Sequence, residues 1–99
     1  MVNQLGGDCY QVHAETILNN CIGMLCHGTV WHPDTGWHGH CWIELNKDMV
    51  LDVSNGHNFI VRRENYYTIG KIKDIQKYTP KQVRELVIKF ENYGPWETR

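Results

Sequence analysis

The first apolar pattern in the chain has helical spacing. Five residues recur at intervals of three and four positions: Tyr10, Ala14, Ile17, Leu18 and Cys21. This is the period of one face of an amphipathic helix. Asp8 is a favourable N-cap, and Gln11 three residues later completes a capping box. The pattern therefore predicts a helix over residues 9 to about 21, with Cys9 in its first turn.

The middle of the chain is typical of β-strands instead. "IGMLCHGTVW" predicts a first strand, and "HPDTGWHG" predicts a loop because Pro, Asp and Gly favour turns. "HCWIEL" and "MVLDV" are β-rich runs separated by "NKD", the pattern of a hairpin. "SNGHN" predicts another turn and "FIVRR" a short strand, whereas "NYYTIGKIKDI" is ambiguous.

The last segment predicts a second helix. Thr79 is a favourable N-cap, Pro80 suits the first helical position, and Gln82 completes a capping box. An apolar stripe follows at helical spacing: Val83, Leu86, Val87 and Phe90. Gly94-Pro95 is expected to end this helix. The order helix, three or four antiparallel strands, helix predicts one α+β domain over residues 1–99.

Composition narrows the class of protein. Hydrophobic residues make up 41% and charged residues 21%, which is ordinary for a globular domain. No apolar run is long enough for a transmembrane helix, and the N-terminus has no signal-peptide pattern, so a cytoplasmic location is expected. A net charge of −1 predicts neither nucleic-acid nor membrane binding. In a reducing cytoplasm the four cysteines are expected as free thiols rather than two disulfides.

The hairpin brings two polar residues together. Strand alternation places His40, Trp42 and Glu44 on one face. If residues 46–48 form a three-residue loop, Trp42 pairs with Asp52, and His40 lies diagonally across from Asp52 on that face. A carboxylate there would orient the imidazole and stabilise its protonated form. A two-residue loop would place the two side chains on opposite faces.

Cys9 adds a nucleophile to this pair. At a helix start, the dipole and the free backbone N–H groups favour the thiolate. Cys9, His40 and Asp52 then form the arrangement used for acyl transfer, in the roles of nucleophile, general acid/base and orienting residue. The backbone N–H of Cys9, aided by the amide of Gln4, is expected to stabilise the oxyanion.

These segments also resemble a known family. "GDCYQVHAETIL", "HCWIEL" and "MVLDVSNG" are similar, in order and spacing, to the transglutaminase-like branch of the papain-like cysteine enzymes. The resemblance covers residues 3 to 56 and implies the same three roles. It departs from the family at Cys41, where an alanine is usual, and in its short length, which implies a shallow cleft or one completed by another subunit.

A second resemblance extends further along the chain. "LCHGTVW", "RRENYY", "YTPKQV" and "YGPWE" are similar to small bacteriophage and prophage proteins with the same Cys, His-x-Trp and Asp core. It implies a phage-encoded protein that acts in the host cytoplasm. Together the two resemblances imply a compact papain-like domain, with the Cys9 helix packed on a three- or four-stranded antiparallel sheet.

Several alternatives remain at the level of single residues. His38 competes with His40 for the acid/base role, because both lie on the same strand face. Trp42, with Trp31 and Trp37, is a candidate for lining a substrate groove, although aromatic residues more often lie in the core. His13 follows Cys9 by one turn and is expected at the surface. Tyr66 and Tyr67 are candidates for closing over the site.

Two other functions compete with the enzyme hypothesis. Six residues supply enough ligands for zinc: Cys26, His27, His32, His38, His40 and Cys41. Their spacing fits no common zinc module. The other alternative is a catalytically inactive binding module, such as an inhibitor of a host protein.

The preferred prediction is a cysteine hydrolase acting on a peptide, a protein or an amide-containing small molecule. It requires no organic cofactor and no metal, and the oligomeric state stays open.

Overall fold

The computed structural model describes residues 9–54 and 58–96, which form three helices and five strands. The helices are α1 (Cys9–Asn20), α2 (Arg63–Gly70) and α3 (Pro80–Phe90). The strands are β1 (Met24–His32), β2 (Gly36–Glu44), β3 (Met49–Asp52), β4 (Phe59–Arg62) and β5 (Lys73–Tyr78). The predicted α+β class is therefore confirmed.

All strand pairs of the sheet are antiparallel, in the order β4-β3-β2-β1-β5. In the β2–β3 hairpin, Ile43 pairs with Leu51 and Glu44 with Val50. The backbone N–H of Leu45 donates to the carbonyl of Met49 at 2.9 Å. This register confirms the predicted three-residue loop and puts Trp42 and Asp52 at opposing positions.

The sheet buries apolar side chains on both faces, because consecutive residues of a strand point in opposite directions. One cluster lies between the sheet, α1 and α3: Cys9, Ala14, Ile17, Leu25, Cys41, Ile43, Val83 and Trp96. The other comprises Cys26, Trp42 and Val50, packed against Tyr66, Tyr67 and other half-buried residues. His40 has the strand parity of Trp42, and its ring stacks near those of Trp42 and of Tyr66 in α2. Within the described ranges, every helix is too short or too polar to cross a membrane.

The loop predicted over "HPDTGWHG" is mostly strand, and that prediction is wrong. Only Pro33, Asp34 and Thr35 form the turn, and β2 already begins at Gly36. The strands extend because Trp31 pairs with Trp37, with their ring centroids 5.5 Å apart. Cross-strand aromatic contact thus outweighs the local turn preference of the glycines.

The ambiguous segment "NYYTIGKIKDI" supplies the remaining helix and strand. It contributes to α2, which begins at Arg63 and is followed by Lys71 in the left-handed region with φ 50°. It then begins β5, which pairs with β1 and gives the sheet five strands rather than three or four. The last arginine of "FIVRR" consequently belongs to a helix and not to β4.

The start of the last helix follows its capping signal. At the start of α3, Thr79 Oγ1 accepts from the backbone N–H of Gln82, and Gln82 Oε1 accepts from that of Thr79. This confirms the predicted capping box. The helix ends at Phe90, with Glu91 in the left-handed region, so the expected stop at Gly94-Pro95 comes too late. The N-cap predicted at Asp8 lies outside the described residues.

Candidate active site

His40 and Asp52 meet as the hairpin register requires. His40 Nε2 lies 3.3 Å from Asp52 Oδ2, across β2 and β3. The Asp52 residue is 4% exposed, and the His40 side chain is 18% exposed. The more exposed His38 has its Nδ1 near the Gly36 carbonyl at 3.4 Å, so of these two strand histidines it is His40 that contacts Asp52.

Tyr66 of α2 completes a triangle with these two residues. Its hydroxyl donates to Asp52 Oδ2 at 2.7 Å and lies 2.9 Å from His40 Nε2. The Tyr66 ring is stacked near that of His40, with a centroid distance of 6.4 Å and an interplanar angle of 28°. The sequence suggested only that Tyr66 closes over the site, because nothing local to α2 indicates which strand residues it contacts.

The second carboxylate oxygen of Asp52 accepts hydrogen bonds from Ser54, two residues further along the chain. Oδ1 accepts from the backbone N–H of Ser54 at 2.9 Å and from Ser54 Oγ at 2.7 Å. Burial alone would raise the pKa of Asp52, but hydrogen bonds from His40, Ser54 and Tyr66 hold it well below its ordinary value. Asp52 is therefore a fixed carboxylate across the neutral pH range.

His40 is correspondingly held as an imidazolium. Burial alone would lower the pKa of His40, but hydrogen bonds with Asp52 and Cys9 and the charges of both raise it to about 9. The thiol of Cys9 is therefore close enough to the imidazole to raise its pKa. Because Asp52 and Tyr66 occupy Nε2, the nitrogen left for Cys9 is Nδ1.

Cys9 is the first residue of α1 and is 3% exposed. The first backbone N–H groups of a helix have no acceptor within the helix, so that of Cys9 is a suitable donor to a developing oxyanion. Gln4, the other predicted oxyanion donor, lies outside the described residues. Thus the structure brings together Cys9, His40 and Asp52 but does not describe Gln4.

His13 was expected at the surface and is instead fully buried. Its Nδ1–H donates to the carbonyl of Cys9 at 2.8 Å, and its Nε2 accepts from the backbone N–H of Val53 at 3.0 Å. Nε2 also lies 3.7 Å from Asp52 Oδ1. His13 therefore joins the first turn of α1 to the chain just after β3. The spacing of Cys9, His13 and Ile17 by four residues was the available signal for this burial.

A cleft of about 240 Å³ opens beside His40. Its described lining residues are Val30, Trp31, His32, His38, His40, Asp52, Ser54, Phe59, Tyr66, Gly70 and Ile72. Only some of the residues that were predicted to line a substrate groove lie at this cleft. Trp31 and His38 line the cleft, whereas Trp42 is fully buried with its ring stacked 6.0 Å from that of His40. Trp42 therefore supports the imidazole and offers no surface to a substrate. Cys9 does not line the cleft.

The other cysteines are free thiols in different surroundings. Cys26 is fully buried, and its pKa is raised to about 12 by burial first and by the charge of Glu44 second. Cys41 is also buried, while Cys21 at the end of α1 is exposed. Cys21 is consequently a natural reference thiol for the reactivity of Cys9.

The proposed zinc ligands do not form a cluster. Among residues 9–54 and 58–96, no three His, Cys, Asp or Glu residues are grouped in a way that could hold a metal ion. His27 packs against the rings of Tyr10, Tyr78 and Trp96, whereas Cys26 lies in the cluster on the α2 side. The zinc hypothesis thus has no ligand set in this part of the chain.

In comparisons with known proteins, no family model, curated protein or solved structure matches the chain. The function is consequently inferred from the geometry of His40, Asp52, Cys9 and their neighbours.

Proposed function

We propose that the protein is a thiol-dependent acyl-transfer enzyme with Cys9 as nucleophile, His40 as general acid/base and Asp52 as the residue that orients His40. One observation carries this proposal: a single imidazole contacts a buried carboxylate, and the thiol at a helix start is one of the groups that raise its pKa. The fixed carboxylate favours the imidazolium, and the imidazolium favours the thiolate of Cys9.

The proposed reaction has two stages. The Cys9 thiolate attacks a carbonyl carbon, forming a carbon–sulfur bond while the carbonyl electron pair moves to oxygen. When that pair returns, the bond to the leaving amine breaks, and the His40 imidazolium supplies the amine with its proton. Water then attacks the thioester and gives a proton to the neutral imidazole. The carbon–sulfur bond breaks, the acid is released, and the thiolate–imidazolium pair is restored.

We also propose that the α+β fold is papain-like, of the transglutaminase-like branch. The order of the elements supports this, because the cysteine begins a helix and the histidine and aspartate follow on two neighbouring antiparallel strands. The sequence stretches that resemble phage proteins support a phage-encoded enzyme acting in the host cytoplasm.

The cleft favours an uncharged substrate. None of its described lining residues is Lys, Arg or Glu, and the His40 imidazolium and Asp52 carboxylate that line it are paired with each other. A neighbouring cavity of about 390 Å³ shares Phe59 and Tyr66 with it and continues along Val61 and Ile69. We therefore expect a peptide or amide whose apolar groups occupy the cleft beside His40. Hydrolysis is favoured over transfer, because no acyl-acceptor signature is present in the sequence.

A non-catalytic binding module is the second candidate. It is favoured by the burial of Cys9, which is only 3% exposed and packs in the apolar cluster below α1. The exposed apolar residues near the cleft, Trp31, Phe59 and Ile69, would then form the binding surface. In this case Cys9→Ser would keep the biological effect of the protein, whereas an enzyme would lose it.

Acetylation by p-nitrophenyl acetate tests the enzyme proposal. This small ester should transfer one acetyl group to Cys9 with a burst of nitrophenolate, and mass spectrometry of the quenched protein should locate it. Cys9→Ser should abolish the burst, whereas Cys21→Ser should leave it unchanged. A burst that survives in Cys9→Ser, or an acetyl group found first on Cys21, would refute the proposal.

A further inference from the structure

We infer that Tyr66 is a positioning residue of this site: its hydroxyl holds a proton on Nε2 of His40 and thereby directs Nδ1 toward Cys9. This inference rests on the proposed function, since it assigns Tyr66 a role in preparing His40 for exchange of a proton with the thiol. It names a side chain that the Cys-His-Asp set alone does not include.

The direction of the hydrogen bonds gives the first argument. The Tyr66 hydroxyl has one proton, which it donates to Asp52 Oδ2 at 2.7 Å. Its oxygen therefore acts as an acceptor toward His40 Nε2, 2.9 Å away. Asp52 Oδ2, at 3.3 Å from the same nitrogen, is also an acceptor. With two acceptors facing it, Nε2 must carry a proton in the neutral ring, and the lone pair is then on Nδ1.

The distances give the second argument. The Tyr66 oxygen lies closer to Nε2 than the Asp52 oxygen does, at 2.9 Å against 3.3 Å. The phenol oxygen is thus the nearer acceptor for the Nε2 proton of His40. Asp52 in turn accepts the hydrogen bond of the phenol, so it also holds the phenol in place. Without the hydroxyl, His40 is free to shift toward Asp52, which would draw Nδ1 away from Cys9.

The surroundings of Tyr66 keep its hydroxyl in this role. Burial and the hydrogen bond to Asp52 raise the pKa of Tyr66 far above its ordinary value, so the phenol is protonated at neutral pH. Its ring packs near Trp42, with centroids 5.8 Å apart. Trp42 also stacks near His40, so the rings of both Tyr66 and His40 pack against the buried indole of Trp42.

The titratable groups that face His40 come from several elements. Asp52 of β3 and Tyr66 of α2 contact the ring, and Cys9 of α1 is among the groups that raise the pKa of His40. His13 of α1 approaches Asp52 from its other oxygen, and His38 precedes His40 by two residues on β2 and lines the same cleft. Any measurement of His40 or Cys9 against pH must therefore be compared between proteins that differ only at Tyr66.

Tyr67 provides the matched control. It is the next residue of α2, and its hydroxyl donates to buried Glu44, which Lys77 also contacts at 3.0 Å. Tyr67→Phe therefore removes the same atom from the same helix, also from a hydrogen bond to a buried carboxylate, but from a bond that does not include His40. A general loss of packing would affect both variants, whereas loss of positioning would affect only Tyr66→Phe.

The experiment measures the tautomer of His40 and the reactivity of Cys9. Nitrogen-15 NMR of the wild-type ring, titrated above its pKa of about 9, should show the neutral form protonated at Nε2. In Tyr66→Phe the Nε2–H population should fall, and alkylation of Cys9 by iodoacetamide at pH 6 should slow roughly tenfold, the size expected for one lost hydrogen bond to a charged group. Tyr67→Phe should match the wild type in both measurements.

Two results would overturn the inference. One is a wild-type ring protonated at Nδ1 in its neutral form, which can be observed even if Tyr66→Phe does not fold. The other is a folded Tyr66→Phe with the tautomer and Cys9 alkylation rate of the wild type. A wild-type Cys9 no more reactive than Cys21 would overturn the proposed function instead, while the tautomer measurement would still decide the role of Tyr66.

Discussion

His40 Nε2 lies 3.3 Å from Asp52 Oδ2, although the two residues are twelve positions apart in the chain. The turn between β2 and β3 produces this relationship. Asn46 Oδ1 accepts from the backbone N–H groups of Asp48 and Met49, at 2.8 Å and 3.0 Å. The asparagine side chain thereby stabilises a three-residue loop. The length of this loop determines on which face of the sheet the side chain of Asp52 lies.

Stability should fall with alkaline pH because of His40. Its pKa is raised from 6.5 to about 9 in the folded protein, so folding favours the protonated ring. The resulting stabilisation, about 3 kcal/mol, is fully present below pH 6.5 and is lost as the pH rises through about 9. Urea unfolding across this range measures it. His40→Gln should lack this loss, and parallel profiles for the two proteins would contradict the prediction.

Asp52→Asn should lower the pKa of His40. The amide keeps the shape of the carboxylate but removes the charge that favours the imidazolium, so the pKa should move from about 9 toward 6.5. NMR titration of the His40 ring protons measures the change. Asp48→Asn in the exposed hairpin loop is the matched control and should leave the titration unchanged. A His40 pKa near 9 in Asp52→Asn would mean that Asp52 does not hold the proton.

His13→Ala should destabilise the protein strongly. The substitution removes hydrogen bonds to the Cys9 carbonyl and to the Val53 N–H, and it leaves a cavity at a fully buried position. The expected loss is about 2–4 kcal/mol in the free energy of unfolding, measured in urea. His38→Ala, at an exposed position, should change the same quantity by less than about 0.5 kcal/mol. Equal small losses in both would contradict the burial of His13.

Local sequence signals were sufficient for the start of α3 and for the hairpin. The capping box of Thr79 and Gln82 and the loop over residues 46–48 depend on neighbours in the chain, so their spacing alone predicted them. The contact between His40 and Asp52 followed from that loop through strand parity. This much of the candidate site was predictable without long-range information.

The parts of the site and fold that the sequence did not predict depend on packing between distant segments. Tyr66 reaches His40 across 26 positions, and His13 reaches Val53 across 40. Nothing near either residue specifies those partners. The segment containing α2 and β5 was ambiguous for a related reason: α2 has no fully buried residue, and β5 is an edge strand without alternating burial. Their structure is set by the sheet on which they pack.

The most direct test of the proposed site compares Cys9 with Cys21 in the native protein. Cys9 is almost buried and Cys21 is exposed, so exposure alone predicts that Cys21 reacts first. Activation by His40 predicts the opposite order. The experiment is limited alkylation with iodoacetamide at pH 6, with mass spectrometry of peptides to measure the rate at each cysteine.

We expect Cys9 to react at least about tenfold faster than Cys21, because a neighbouring imidazolium activates a thiol. His40→Gln should remove that advantage and leave the rate of Cys21 unchanged. Alkylation of Cys21 before Cys9 in the wild-type protein, with no effect of His40→Gln, would contradict the assignment of Cys9 as a nucleophile.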